Sequence, residues 1–219
     1  PAGMETMKTD MAGAATAWGV MSLISKHKIN IGLTVLTPVV ENMPSGSAIR
    51  PGDVLTARNG KTIEVLNTDA EGRLIMADAL AYASEKKPDL ICDVATLTGA
   101  SYVALGLDIG AIFSNNEDIE NIFIKSTEKS GEEFYPLPLH GGYKKLIESD
   151  IADMKNTGGR FGGAITAALL LENFVEDIDW VHLDIAGPAR ASNRKGATGF
   201  SVLTLFEFFK DLSKNHPEG

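Results

Sequence analysis

Cysteine is almost absent from this sequence. Cys92 is the one thiol in 219 residues, so no disulfide can form within the chain. That fits a reducing, cytoplasmic setting. Cys92 lies in the run Leu90-Ile91-Cys92-Asp93-Val94 and reads as a small packed side chain, not a nucleophile. Long apolar runs are also lacking, so no helix spanning a bilayer is expected. Basic residues are outnumbered: 20 Lys and Arg stand against 29 Asp and Glu, for a net charge of −9 with no basic stripe. Such a balance repels phosphate backbones and disfavours nucleic-acid partners. Histidine is scarce. No pair among His27, His140, His182 and His216 has the H-x-x-x-H spacing of a helical zinc site. The sequence opens at Pro1 with neither an initiator methionine nor a signal peptide, which reads as a fragment or a processed chain.

What is present is ordinary globular material, 44% hydrophobic and 22% charged, enough for a normal core. Residues 11–27 place Ala15, Trp18, Val20, Met21, Leu23 and Ile24 at helical spacing, predicting a buried helix that Asn30 could cap. Residues 31–36 read as an interior strand. Asn59-Gly60 is the strongest hairpin signal, between strands at 53–58 and 61–66. A helix over 74–86 ends before Pro88, and a buried strand follows at 90–95. A short strand at 111–114, helices near 117–130, 142–149 and 163–175, a strand at 180–186 and a helix over 201–212 complete the pattern, with a frayed tail from 214. Strands alternating with helices predict an α/β fold, a three-layer α/β/α domain around a mixed, largely parallel central sheet. The hairpin is expected to supply its antiparallel edges.

The densest chemical signal is Asn67-Thr68-Asp69-Ala70-Glu71-Gly72-Arg73-Leu74. Asp69, Glu71 and Arg73 alternate, so in extended chain they share one side. A helix begins immediately afterwards, and its first N–H groups favour anions. Adjacent carboxylates repel unless a cation lies between them, which a divalent metal does well. Arg73 would be an anion fork, not a ligand, because guanidinium stays protonated. A rival account has equal standing at this point: acidic residues at a helix start with a surface Asp–Arg pair.

The whole eight-residue string resembles the signature of the cytosolic leucyl aminopeptidase family. Other segments are similar to its motifs, in its order: Met7-Lys8-Thr9-Asp10-Met11 with Gly13-Ala14-Ala15, Asp93 to Ala100, Ser149 to Asn156, Gly162-Gly163-Ala164, and His182 to Gly187. The resemblance covers nearly all of residues 1–219, as a catalytic domain incomplete at its N-terminal side. It implies a dinuclear-metal aminopeptidase that releases leucine and other apolar residues from peptide N-termini. It implies two divalent ions, Mn or Zn, with Asp69 on one, Glu71 bridging and Asp10 on the second. Arg73 would hold a bicarbonate-like anion as general base. Leu97 would offer its backbone to the peptide, and Met7, Thr96, Gly99, Ala186 and Ala189 would surround the pocket for the first side chain. Many relatives carry a larger residue where Ala189 stands, so that pocket is expected to be roomier. A homo-oligomer, a hexamer, is implied as well. The family's remaining ligands, a metal-binding lysine and a bridging aspartate, precede the residue matched to Pro1, as does a catalytic lysine. These 219 residues alone are therefore expected to bind metal poorly and to be inactive.

Other residues read as structural. His182 in its buried strand is expected to be a hydrogen-bonded core histidine. Asp150 and Asp153 are expected to brace a turn, and Phe206, Phe208 and Phe209 to pack the core. Gly158 to Gly163 reads as a loop near the site or a subunit contact, without the GK[ST] context of a nucleotide cradle. Two rivals remain: a non-catalytic scaffold or nucleic-acid-binding subunit, and a different dinuclear hydrolase such as a phosphatase. The latter usually adds histidine ligands, which the 67–74 segment lacks.

Overall fold

Alternating side chains on buried strands sort the core to two sides. The computed structural model describes residues 4–190 and 196–215; the expectations attached to Pro1, His216 and the last four residues fall outside them. Its strands are β1 (Val54–Thr56), β2 (Thr62–Glu64), β3 (Leu90–Ala95), β4 (Ile109–Ser114), β5 (Glu133–Pro136), β6 (Met154–Lys155) and β7 (Asp179–Asp184). Its helices are α1 (Ala12–His27), α2 (Gly72–Ser84), α3 (Gly99–Leu105), α4 (Glu117–Ser130), α5 (Gly163–Glu172) and α6 (Val202–Asn215). The main sheet runs β3-β7-β4-β5. Ile91, Ala111, Phe113 and Trp180 point to one face and pack with α2 and α5. Ile112, Val181 and Leu183 point to the other and pack with α1, α4 and α6. Period-two alternation thus builds two apolar layers from one set of strands, as the α/β/α expectation requires.

The sheet is mixed for a different reason than expected. β3 and β7 pair in parallel, as do β4 and β5, while β4 and β7 are antiparallel. The Asn59-Gly60 hairpin joins β1 to β2 in a separate small sheet, where β2 pairs in parallel with β6. Residues 31–36 form no strand. They are partly exposed and have no ladder partner among the described residues, and a strand exists only through its ladder.

Helix α1 is one-sided, not buried all round. Gly13, Thr16, Val20 and Ile24 face inward, whereas Trp18 stays 56% exposed and Ala15 is open to solvent. Gly13 allows this contact, because a Cβ there would lie 2.0 Å from the carbonyl oxygen of Val94. The helix ends on Lys28 in the left-handed conformation, not on Asn30. Residues 141–147 form a 3-10 helix in place of the expected α-helix, and α6 extends to residue 215 where fraying was expected. Helix α3 and strands β5 and β6 had no counterpart in the periodicity: they are short, and α3 hides inside the segment after β3.

Candidate active site

The carboxyl end of β3 leads into Thr96-Leu97-Thr98, and Thr98 caps α3 by accepting from the Ser101 N–H at 3.1 Å. Asp184, at the matching end of β7, is almost fully buried and holds this turn. Its Oδ1 accepts from the N–H of Leu97 and of Ala186, both at 3.2 Å, and its Oδ2 accepts from Thr98 Oγ1 at 2.6 Å. Leu97 and Ala186 are thereby brought together. Leu97 also reaches Gly72, where an added Cβ would sit 3.3 Å from Leu97 Cδ1. The first turn of α2 therefore borders the turn after β3, at the carboxyl edge of the parallel pair.

The 67–71 loop is tied from behind. Asn156 is fully buried; its Oδ1 accepts from the N–H of Leu66 and Asn67 at 2.9 and 3.2 Å. Its Nδ2 donates to the carbonyls of Asn67 and Ala70 at 2.6 and 3.3 Å. Asn67 Oδ1 accepts from the Asp69 N–H at 3.0 Å, an Asx turn that leaves the Asp69 side chain exposed. Glu71 is the N-cap of α2 and accepts from Asn42 Nδ2 at 2.8 Å. Burial pushes its carboxyl above the usual range, and the charges of Asp10 and Asp69 push the same way. Asp10, exposed after the 3-10 helix Met4–Thr9, accepts from Thr96 Oγ1 at 2.6 Å.

Arg73 lies in the first turn of α2 and is 8% exposed, with Nε buried and unpartnered. Burial draws its pKa down to about 10 against the opposing charges of Asp184 and Glu71. A guanidinium buried with a free donor is costly unless an anion meets it.

Of the sequence-derived site residues, Glu71 feels the charges of Asp10 and Asp69, Thr96 bonds to Asp10, and Leu97 borders the start of α2. Ala186 and Ala189 are buried just beyond β7. Met7 is exposed, its Sδ 3.7 Å from Nη2 of Arg190, which places it beside that segment. Gly99 opens α3. The three carboxylates do not converge: among the described residues no three His, Cys, Asp or Glu side chains stand close enough to hold a metal ion. Sequence reasoning passed over Asn42, Asn156 and Asp184. The last two stand inside motifs quoted above, and their signal was a polar residue amid apolar neighbours.

A model of the cytosol aminopeptidase family, catalytic domain, matches residues 1–206. The chain belongs to this family. A probable cytosol aminopeptidase of Syntrophotalea carbinolica is 50% identical over 212 residues, covering 94% of this chain and 43% of that protein. One from Gloeobacter violaceus is 51% identical over 211 residues, covering 94% and 42%. Among solved structures, a mutant tomato leucine aminopeptidase matches with a TM-score of 0.87 and 42% identity, over 95% of this chain and 42% of that one. The bottromycin maturation enzyme BotP in complex with Mn matches with a TM-score of 0.90 and 38% identity, over 97% and 49%. The chain thus spans less than half the length of the relatives it matches. No helix of the described residues is long and apolar enough to cross a membrane.

Proposed function

We propose that this catalytic domain serves a metal-dependent aminopeptidase that removes N-terminal residues, leucine and other apolar ones by preference, from peptides in the cytoplasm. The carrying observation is the pairing of opposite frustrations at the start of α2. Glu71 is half-buried and feels the negative charge of Asp10 and Asp69, and two residues on, the buried Arg73 has a donor without an acceptor. A cation relieves the first and an anion the second, so the charge pattern fits divalent metal with a bicarbonate-like anion at Arg73. Asp69, Glu71 and Asp10 would hold two ions, Mn or Zn. When bound, such ions acidify water and polarise a carbonyl.

The residues of this chain would do the rest. Arg73 would hold the anion, which would supply a general base. The Leu97 backbone, fixed by Asp184, aligns the peptide. Thr96, Gly99, Met7, Ala186 and Ala189 receive the first side chain. The three carboxylates do not close a coordination sphere by themselves, so further ligands from the rest of the protein or assembly, a hexamer by resemblance, belong to this reading. A scaffold or nucleic-acid role is disfavoured by the net charge of −9.

Hydrolysis of leucyl p-nitroanilide by the intact protein with added Mn²⁺ tests the reading. Activity that is lost in Asp69→Asn and Glu71→Gln supports it, and unchanged activity in both variants overturns it. The 219 residues alone are expected to show little metal binding and no useful turnover.

A further inference from the structure

Two guanidiniums hold a buried donor without an acceptor among the described residues: Nε of Arg73 and Nε of Arg190. The peptidase reading gives the first an anion and the second nothing. Arg190 follows the buried residues Ala186 and Ala189, beyond the end of β7. Its backbone is held in place. The Arg190 N–H donates to the Gly187 carbonyl at 3.1 Å, and the residue forms an antiparallel bridge with Ala197. The Thr198 hydroxyl ties the same turn by donating to the Pro188 carbonyl at 2.9 Å. Gly187 lets the turn pack closely, because a Cβ there would lie 2.4 Å from the carbonyl oxygen of Gly106. From this base the half-buried side chain reaches Met7, with Nη2 3.7 Å from Sδ.

We propose that Arg190 is a specificity-determining residue that pairs with the carboxylate of an acidic first residue, glutamate above all, so that the enzyme takes N-terminal glutamate beside leucine.

Three observations carry this. Guanidinium stays charged and presents a planar fork of donors that matches a carboxylate, whereas the sulfur of Met7 is a weak acceptor. The chain offers nothing better. No ion pair among the described residues includes Arg190, and Ala191 to Lys195, which follow it in sequence, contain no Asp or Glu. A ligand carboxylate would therefore satisfy a donor that is desolvated and unpaired. The position says which carboxylate. Arg190 lies against Met7 and adjoins Ala189, and the peptidase reading, on which this inference rests, seats the first side chain of the peptide on both. Glutamate has an apolar stem: its methylenes can lie on Met7 and Ala189 where those of leucine would, with the charged end carried on to Arg190. Aspartate, one methylene shorter, carries its charge less far.

Steady-state hydrolysis by the intact protein with Mn²⁺ tests it, on glutamyl, glutaminyl and leucyl p-nitroanilides. The glutamyl and glutaminyl side chains share a shape and differ in charge, so the ratio of their kcat/KM values isolates the charge. The wild type should favour glutamyl by about tenfold or more. That preference should vanish in Arg190→Met, return in part in Arg190→Lys and turn to glutaminyl in Arg190→Glu. Should the variants not fold, the wild-type ratio decides alone. These substrates have no C-terminal carboxylate, so a preference among them belongs to the side chain. Dependence on Arg190 seen only with free dipeptides, such as Leu-Gly over its amide, would assign the guanidinium to the far end of the peptide and overturn the proposal. Leucyl turnover by a wild type that takes glutaminyl as well as glutamyl also overturns it, and leaves the peptidase reading standing. No turnover of any of the three overturns that reading and this inference with it.

Discussion

The two walls of the candidate site are built in opposite ways. On one side, the Leu97–Thr98 turn is tied by a buried carboxylate that accepts from three donors of its own chain. On the other, Asp69 and Asp10 are exposed, and the like charges of both bear on Glu71. The wall to which the proposed function assigns a peptide backbone is satisfied internally and so is preorganised. The acidic wall is left with uncompensated negative charge, which favours a cation that the chain does not itself supply. Stability is concentrated on the first wall and functional potential on the second, the division expected where a site holds groups in unfavourable surroundings.

Removing the anchor of the first wall should have the largest effect. Asp184→Ala orphans three donors in a buried place, at about 1–3 kcal/mol each before relaxation, so a total loss of several kcal/mol is expected. Urea unfolding of the intact protein measures it. A loss under about 1 kcal/mol would mean that the two walls are not built differently.

Asn156→Ala comes next. One buried carboxamide serves two N–H groups and two carbonyls of residues 66–70. The expected cost is about 2–3 kcal/mol, somewhat less than for Asp184 because no charge is involved. Hydrogen exchange should accelerate at the amides of Leu66 and Asn67 and leave the β3 amides protected. A uniform acceleration would instead mean that this side chain supports the whole domain and not the acidic loop.

Much of this arrangement was legible in the sequence, and the rest failed for identifiable reasons. Strand β3, helix α4 and the alternation giving two core layers follow from periodicity, because burial on both faces leaves a continuous apolar run. Residues 31–36 carry the same composition yet form no strand, since a ladder depends on a neighbour that local pattern cannot reveal. Trp18 has helical spacing like Val20, but angular position on α1 decides burial, and Trp18 faces outward. At the site, Asp69, Glu71 and Arg73 stood out as alternating charges before a helix, and Asp10 only through the resemblance of its motif to the family's. Asp184 and Asn156 did not, because their work is done across about 90 residues of sequence, where spacing is silent.

Glu71→Gln should reverse the usual sign of a mutation. Burial and the charges of Asp10 and Asp69 raise the Glu71 pKa in the folded state above its unfolded value. A carboxyl raised in this way binds its proton more tightly when folded. It therefore contributes stability as pH falls through the folded pKa towards the unfolded value, and it weakens the fold above that window. In metal-free protein Glu71→Gln should be more stable than the wild type at pH 7 and lose this part of the acid-side rise. Thermal melts at several pH values check it. With Mn²⁺ present the order should invert, because the wild type gains from binding and the variant loses a ligand.

Asp69→Asn should be nearly silent in the fold, and that silence is the sharpest form of the contrast. Its side chain is exposed, and the Asx turn that shapes the loop uses the Asp69 N–H and the Asn67 side chain, both of which survive the substitution. The expected change in metal-free stability is within about 0.5 kcal/mol, typical of a surface position. The same substitution removes one negative charge from a carboxylate trio, and it should weaken Mn²⁺ binding to the intact protein by at least about tenfold. Isothermal titration measures the second effect and urea unfolding the first. A substitution that the fold ignores and the cation does not would separate the roles of the two walls at a single residue. Equal Mn²⁺ affinity in the two proteins would remove Asp69 from the ligand set and leave the acidic wall as solvated charge.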